Sequence, residues 1–366
     1  MLIGYLVHDL NDASVERRCE MLERGGAKIV LAGFHRQANV KESVKKRRPI
    51  ILGQSKDAAM VSRVLSTVRH VVSSPTLKEA FANCDVILVR NLEQLAIGQS
   101  IKAGRALIYE CLDLHRLLVG SSMPSKILQS IEAKMLGSVD LLLTSSPAYL
   151  KHHFDSNLFE GDIYLIENKL LVDNKDMAIP TPPALSDVLR IGWFGMLRCR
   201  RSFEVLKNIS RRSGGRIEVL IAGKPSEAEL PDLPEQANST PHMTYSGPYH
   251  YSDLPALYGQ CHFAWAIDWF EAGMNSEWLL PNRLYESIAH GSVPIVKART
   301  QMAKWLKDWD AGFILDEDQS PEESVLALSP SHIHDLQVDL RRVPPSAVMA
   351  DAEDCKLLVS AMKEAV

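Results

Sequence analysis

Six cysteines (Cys19, Cys84, Cys111, Cys199, Cys261 and Cys355) are scattered along 366 residues, and none sits in a Cys-x-x-Cys pair. That spacing offers neither a zinc site nor a disulfide framework, and it fits a reducing compartment. No apolar run approaches the roughly 20 residues needed to span a bilayer. The apolar Met1–Val7 stretch has no basic segment before it and no small-residue cleavage site after it. A signal peptide is therefore not expected, and the protein is expected to be cytoplasmic, with any membrane contact peripheral. A basic excess is also missing: the formal net charge is −4, which argues against nucleic acid as a partner. No Gly-x-Gly-x-x-Gly follows the first strand, which counts against a nicotinamide or flavin cofactor. Short-period repeats and low-complexity segments are absent too.

What is present is an ordinary globular composition, 46% hydrophobic and 23% charged, on a chain long enough for two cores. Apolar runs alternate with helical patterns. Leu2–Val7, a helix near Ser14–Arg24, Lys28–Ala32, Asp85–Val89, Ala106–Glu110, Asp140–Thr144 and Ile163–Ile166 make up the first half. Ile179-Pro180-Thr181-Pro182-Pro183 interrupts this rhythm and reads as part of a linker over 179–187. The rhythm then restarts with Arg190–Phe194, a helix near Ser202–Ser210, Arg216–Ala222, a helix near Ser252–Gln260, His262–Ile267 and Gly312–Leu315. The expected fold is α/β, with Rossmann-like domains at 1–178 and 188–345 whose parallel sheets face across a cleft. A helix within 346–366 is expected to pack back toward the first domain.

The most informative segment is Leu279–Val296. Leu284 and Ile288, four apart, give a short helix its buried face, Gly291 stops it, and Pro294–Val296 reads as a buried strand. Asn282, Arg283 and Glu286 project from one side of that helix. An Arg near a helix N-terminus suits a phosphate, where unpaired N–H groups and the helix dipole already favour an anion. A carboxylate one turn on accepts hydrogen bonds and suits a sugar diol. Upstream, Ile191–Ser202 runs from a strand through Gly195 into Arg198, Arg200 and Arg201, which can grip a diphosphate by close backbone approach and guanidinium forks. Solvated surface charges are the bland alternative for each segment.

Taken together, these strings resemble the donor-binding segments of GT-B-fold glycosyltransferases of the group 1, family 4-like, exopolysaccharide type. There Asn-Lys/Arg-hydrophobic-aromatic-Glu leads into a short helix, Gly, and Pro-hydrophobic-Val. The resemblance implies that Glu286 holds the ribose of a sugar nucleotide. Asn282, Arg283 and Leu284 are implied as its neighbours. Gly195, Arg198 and Arg201 are implied as the phosphate grip, although Met196 and Arg201-Ser202 depart from the family's Gly-Arg…Lys-Gly. Thr244-Tyr245-Ser246-Gly247-Pro248 resembles the loop lining the base, which places Gly247 there. Many relatives carry a second Glu facing the sugar, upstream of the ribose Glu with seven residues between the two. Here that position is Trp278, so Glu277 or Glu271 stands in.

Toward the N-terminus, Asp113 and His115 follow the Ala106–Glu110 strand. They can act as a base with its orienting partner or bind a sugar hydroxyl. His8, Asn11 and Asp12 follow the first strand, where Asp12 can cap the next helix or serve the reaction. Arg90 and Asn91 end a third strand and are expected, with His8 and Asn11, on the acceptor side. Asp308-Trp309-Asp310 is rejected as a metal site and Asp316–Asp318 reads as a solvated loop. The implied activity is metal-independent transfer of a sugar from a UDP- or GDP-linked donor, a co-substrate and not a cofactor. The acceptor is a sugar or a lipid-linked sugar in surface polysaccharide or glycolipid synthesis. The alternatives are a sugar-nucleotide 2-epimerase of the same fold and a non-catalytic GT-B partner subunit. The basic run Lys41, Lys45, Lys46, Arg47 and Arg48 is expected to attract anionic lipid headgroups.

Overall fold

The computed structural model describes residues 1–36, 39–54, 75–155 and 158–366. The chain divides into two compact units, Met1–Glu167 with Ala350–Val366, and Asn168–Met349. The first unit holds strands β1 (Leu2–Val7), β2 (Lys28–His35), β3 (Ile50–Gln54), β4 (Val86–Arg90), β5 (Ala106–Cys111), β6 (Leu141–Thr144) and β7 (Asp162–Leu165). They form one sheet in the order β3-β2-β1-β4-β5-β6-β7, with every pairing parallel. Strands β4, β5 and β6 are buried throughout. That is why they read as continuous apolar runs and not as alternations.

In the second unit a short β8 (Leu170–Leu171) precedes β9 (Leu189–Leu197), β10 (Ile217–Pro225), β11 (Met243–Tyr245), β12 (Phe263–Trp265), β13 (Val293–Lys297) and β14 (Phe313–Leu315). The sheet order is β11-β10-β9-β12-β13-β14, again all parallel. Its core is aromatic: Trp193 stacks on Phe203 with centroids 6.4 Å apart, and Tyr285 meets Trp305 edge-on at 5.7 Å. In each sheet the strand order reverses beside the first strand, between β1 and β4 and between β9 and β12. The loops at the carboxyl ends of those strands are where an open parallel sheet offers a ligand crevice.

Two boundaries differ from the sequence expectation. The proline segment is not a linker between units, because it lies within the second one. Its carbonyls are taken up there: Gln337 Nε2 donates to Pro183 O at 3.0 Å, and His262 Nε2 lies 3.1 Å from Ala184 O. Gly291, at φ +79°, ends the 282–289 helix, and a Cβ there would lie 2.6 Å from Pro180 O. The stop signal is thus also a packing requirement of that proline segment. The C-terminal helix, Ala352–Glu364, belongs to the first unit and packs on the Ala13–Arg24 helix. The expected helix near Ser252–Gln260 is a 3₁₀ turn, Tyr251–Asp253, continued by Leu254–Tyr258. Strands β3 and β11, both sheet edges, escaped the periodicity reading because each is short and flanked by polar residues.

Candidate functional site

Three glycines form the floor of the second unit's candidate site. Gly195 lies two residues before the end of β9 at φ +106°, Gly223 lies in β10 at φ +137°, and Gly247 follows β11 at φ +89°. Gly223 pairs in register with Gly195, and its N–H donates to Gly247 O at 2.9 Å. A Cβ on Gly223 would lie 1.9 Å from Gly195 O, so no other residue fits. The three adjacent strand ends therefore present bare backbone, which lets a phosphate or ribose approach closely. Gly195 and Gly247 were expected here. Gly223 was missed, although Ala222-Gly223-Lys224 at a strand's end carries the same signal.

The helix Asn282–Ala289 starts after Pro281 and no side chain caps it. Asn282 is exposed and Arg283 half-buried, while Glu286 is 8% exposed. The Tyr258 hydroxyl donates to Glu286 Oε2 at 3.3 Å, and Tyr258 in turn stacks with His290 at 6.1 Å. Burial, reinforced by the Glu286 charge, pushes the Tyr258 hydroxyl far above its usual range, so it stays a donor. Leu284 is fully buried in the core beside Ile288, so its side chain packs the helix and cannot touch a nucleotide. Tyr249 joins the helix to the glycine floor. Its hydroxyl lies 3.9 Å from where a Gly195 Cβ would sit, and it feels the charges of both Glu286 and Arg283. Burial, then Glu286, raise its ionisation.

The arginine turn is occupied by the loop after β12. Arg198 Nε lies 3.4 Å from Asp268 Oδ2, and its guanidinium rests 4.8 Å over Phe270. Arg201 sits 4.5 Å over Trp269. Ser202 Oγ donates to Ile267 O at 2.9 Å, and Trp269 N–H donates to Cys199 Sγ at 3.2 Å. Glu277 pairs with Lys297 at 2.9 Å. Burial alone would raise its ionisation, but Lys297 and the Gly273 backbone outweigh it and hold the carboxyl below its usual range. A sugar ligand would have to share Glu277 with that lysine. Glu271 accepts from Asn275 Nδ2 at 3.3 Å.

In the first unit the sequence candidates separate into structural and accessible groups. Arg90 is 2% exposed and does not face a ligand. Its Nε donates to Glu110 Oε2 at 2.7 Å and its Nη1 to Ser14 Oγ at 2.5 Å. Arg18 Nε donates to Glu110 Oε1 at 2.5 Å and the Tyr5 hydroxyl to Oε2 at 2.7 Å. Burial disfavours the Glu110 charge, yet Arg90 and Arg18 together hold its carboxyl down at about 2. The network explains the misreading: an Arg at a strand end looks like a ligand until a fully buried Glu on the next strand claims it. Asn11 is likewise spent on structure, since Nδ2 donates to Asn39 O at 2.9 Å and Oδ1 accepts Lys41 N–H at 2.8 Å. Asn91 makes the bend after β4 at φ +72°.

Asp12 caps the Ala13–Arg24 helix, accepting from Ser14 N and Ser14 Oγ, both at 2.8 Å. Burial would raise its ionisation, but Arg90, His8 and Ser14 together lower it. His8 Nε2 lies 3.6 Å from Asp12 Oδ2, too far for a hydrogen bond. Burial depresses the His8 ring to about 4, so it is neutral near pH 7 and the contact is no ion pair. Its Nδ1 has no partner among the described residues. His115 is exposed, and its Nδ1 accepts Leu117 N–H at 3.2 Å, capping the Arg116–Val119 helix. In the neutral ring that bond puts the proton on Nε2. Asp113 is exposed beside it. Among the described residues, no group of three or more His, Cys, Asp or Glu side chains is placed to hold a metal ion.

No family model matches the chain. The succinoglycan biosynthesis protein ExoL of Rhizobium meliloti is 37% identical over 370 residues, covering 98% of this chain and 92% of that protein. Among solved structures, HepE of Anabaena, in complex with UDP and glucose, superposes with a TM-score of 0.69 at 12% identity over all of both chains. Sucrose-phosphate synthase of Thermosynechococcus elongatus gives 0.69 at 13% identity, over 100% of this chain and 98% of that one. These likenesses show the GT-B fold. No described helix is long and apolar enough to cross a membrane.

Proposed function

The chain belongs to the family of the succinoglycan biosynthesis protein ExoL, and from that premise we propose that it is a glycosyltransferase. It moves a sugar from a nucleotide-diphosphate donor, UDP-linked in our reading, to a hydroxyl of a sugar or lipid-linked sugar during surface polysaccharide synthesis. The observation that carries the reading is the bare glycine floor at 195, 223 and 247 in the same unit as the recessed, hydrogen-bonded Glu286. A diphosphate fits the floor and a ribose diol fits the carboxylate. The UDP held by HepE, on the same fold, supports the choice of base.

In this reaction the acceptor oxygen forms a bond to the anomeric carbon as the bond from that carbon to the phosphate oxygen breaks. The electron pair leaves with the diphosphate. Stabilising that growing charge is the main electrostatic task. We assign it to Arg198, Arg201 and Arg283, without a metal. Arg198 would exchange Asp268 for the diphosphate, a charge-assisted replacement of one anion by another. On the acceptor side, the exposed Asp113 carboxylate is the group we assign to accept the hydroxyl proton, with the His115 ring beside it as a hydrogen-bond donor to the acceptor sugar.

The test is a thermal-shift screen of UDP- and GDP-sugars, followed by transfer of labelled sugar to lipid extracts. A UDP-sugar should stabilise the protein and Glu286→Ala should abolish the shift. If no sugar nucleotide stabilises the wild type, the reading is wrong. Donor turnover without any acceptor would favour an epimerase instead.

A further inference from the structure

The helix Met123–Leu136 turns Ser125, Leu128, Glu132, Met135 and Leu136 inward. Its outer face carries Met123, Lys126, Ile127, Ser130 and Lys134, all exposed. Met123 is 70% exposed and Ile127 53%, one turn apart on that face. A surface helix ordinarily places polar residues at such positions.

The charge on this face has one sign. Between Arg116 and Gly137 the one acidic residue is Glu132, which is fully buried. It is bound to His153 Nε2 at 2.7 Å and to the Tyr109 hydroxyl at 3.3 Å. Arg116, Lys126 and Lys134 are exposed, and among the described residues no carboxylate pairs with them. Apolar side chains flanked by unneutralised cations match the chemistry of an anionic bilayer surface, where the apolar groups enter the acyl boundary and the cations meet headgroups.

The Lys41–Arg48 run, which looked basic in sequence, has no exposed apolar side chain and pairs two of its five cations. Lys45 pairs with Glu42 at 2.6 Å, and Arg47 makes two 2.8 Å bonds to Glu23. Its apolar residue, Val44, is buried, as is Val40 just before it. Its charges are partly spent, and nothing in the run can insert.

We propose that the exposed face of the Met123–Leu136 helix, with Arg116 of the helix packed against it, docks the first unit on an anionic membrane. The face follows the Asp113–His115 loop in the chain, so docking would bring that loop to the headgroups, where a lipid-linked acceptor resides. This concerns the partner of the proposed acceptor side, but vesicle binding is read without donor or turnover. Its failure is therefore distinguishable from failure of the proposed reaction.

The experiment is co-sedimentation of the full chain with vesicles of phosphatidylcholine alone or mixed with phosphatidylglycerol. The wild type should pellet with the anionic vesicles and remain soluble with the neutral ones. Met123→Ser/Ile127→Ser and Lys126→Glu/Lys134→Glu should each weaken binding at least tenfold while their melting by circular dichroism stays that of the wild type. Lys45→Glu/Lys46→Glu should bind like the wild type. Helix variants that bind as well as the wild type, a wild type that ignores anionic vesicles, or a dimer in solution dissociated by the helix substitutions would each overturn the proposal.

Discussion

Glu110 and Glu286 are both buried carboxylates, one in each α/β unit, yet their surroundings differ in kind. Glu110 lies inside a strand, is fully enclosed, and is held by two guanidinium groups and a tyrosine hydroxyl. Glu286 stands on a helix beside the carboxyl ends of the strands, with 8% of its surface open and a neutral tyrosine at 3.3 Å. A buried charge enclosed by opposite charges serves the fold, because nothing else can reach it. A recessed carboxylate at the mouth of a unit, touched by a tyrosine hydroxyl, is the kind the proposed ribose contact needs.

The sharpest way to break that contrast is Arg90→Ala. It leaves Glu110 enclosed with less counter-charge and releases Ser14 at the start of the Ala13–Arg24 helix. Urea unfolding should show a loss of about 3–5 kcal/mol. Wild-type stability in that variant would remove the structural role given to the network.

Gly223→Ala should be nearly as harmful. Its Cβ would meet the Gly195 carbonyl, and φ +137° suits no L side chain. The expected cost is about 2–4 kcal/mol, together with lost stabilisation by UDP. A variant that still binds UDP would show that the glycine floor is not the nucleotide's seat.

Glu286→Ala should behave in the opposite sense to Arg90→Ala, with little change in the melting of the ligand-free protein. Sugar-nucleotide affinity should fall at least tenfold, about 1.4 kcal/mol, as read by calorimetry. An apo protein destabilised as far as Arg90→Ala would put Glu286 in the same class as Glu110.

The smallest effect expected is acid loss from His8. Its folded ring titrates at about 4, against an ordinary value of 6.5, so the unfolded chain binds the proton first. The stability is present above pH 6.5 and is lost as pH falls toward 4. Solvent reaching the 19% exposed side chain should hold the effect to on the order of 1 kcal/mol. His8→Asn should flatten that part of the pH–stability curve.

The residues that proved legible in sequence are those whose constraint is local. Leu284 and Ile288, Gly291 and Pro294–Val296 announce a helix, a stop and a strand within one short segment, and Gly195 announces a positive-φ position ahead of the basic residues, although β9 runs on to Leu197 instead of turning there. Trp278 already showed that the family's second glutamate is missing. Arg90 and Asn11 misled because a polar residue at a strand's end has the same local pattern whether it meets a ligand or a distant group of the fold, whereas Asp12 caps its helix as its position allowed. Their partners, Glu110, Asn39 and Ser14, lie up to 76 residues away or share a loop closed only in the folded chain. Tyr249 and Tyr258 gave no signal, since an aromatic in a loop or a short helix is ordinary.

By itself, then, the sequence determined the βαβ rhythm in each half, the glycine and helix-stop positions, and the charge types along the 282–289 helix. Each of these follows from neighbours within a few residues of one another. Tertiary structure alone decided which charges are spent. It enclosed Arg90 and Glu110, paired Glu277 with Lys297 and Arg47 with Glu23, folded the proline segment onto Gly291, and left Met123 and Ile127 facing outward. Burial and pairing depend on which strands and helices become neighbours, and that is a property of the sheet order and not of any local stretch of chain.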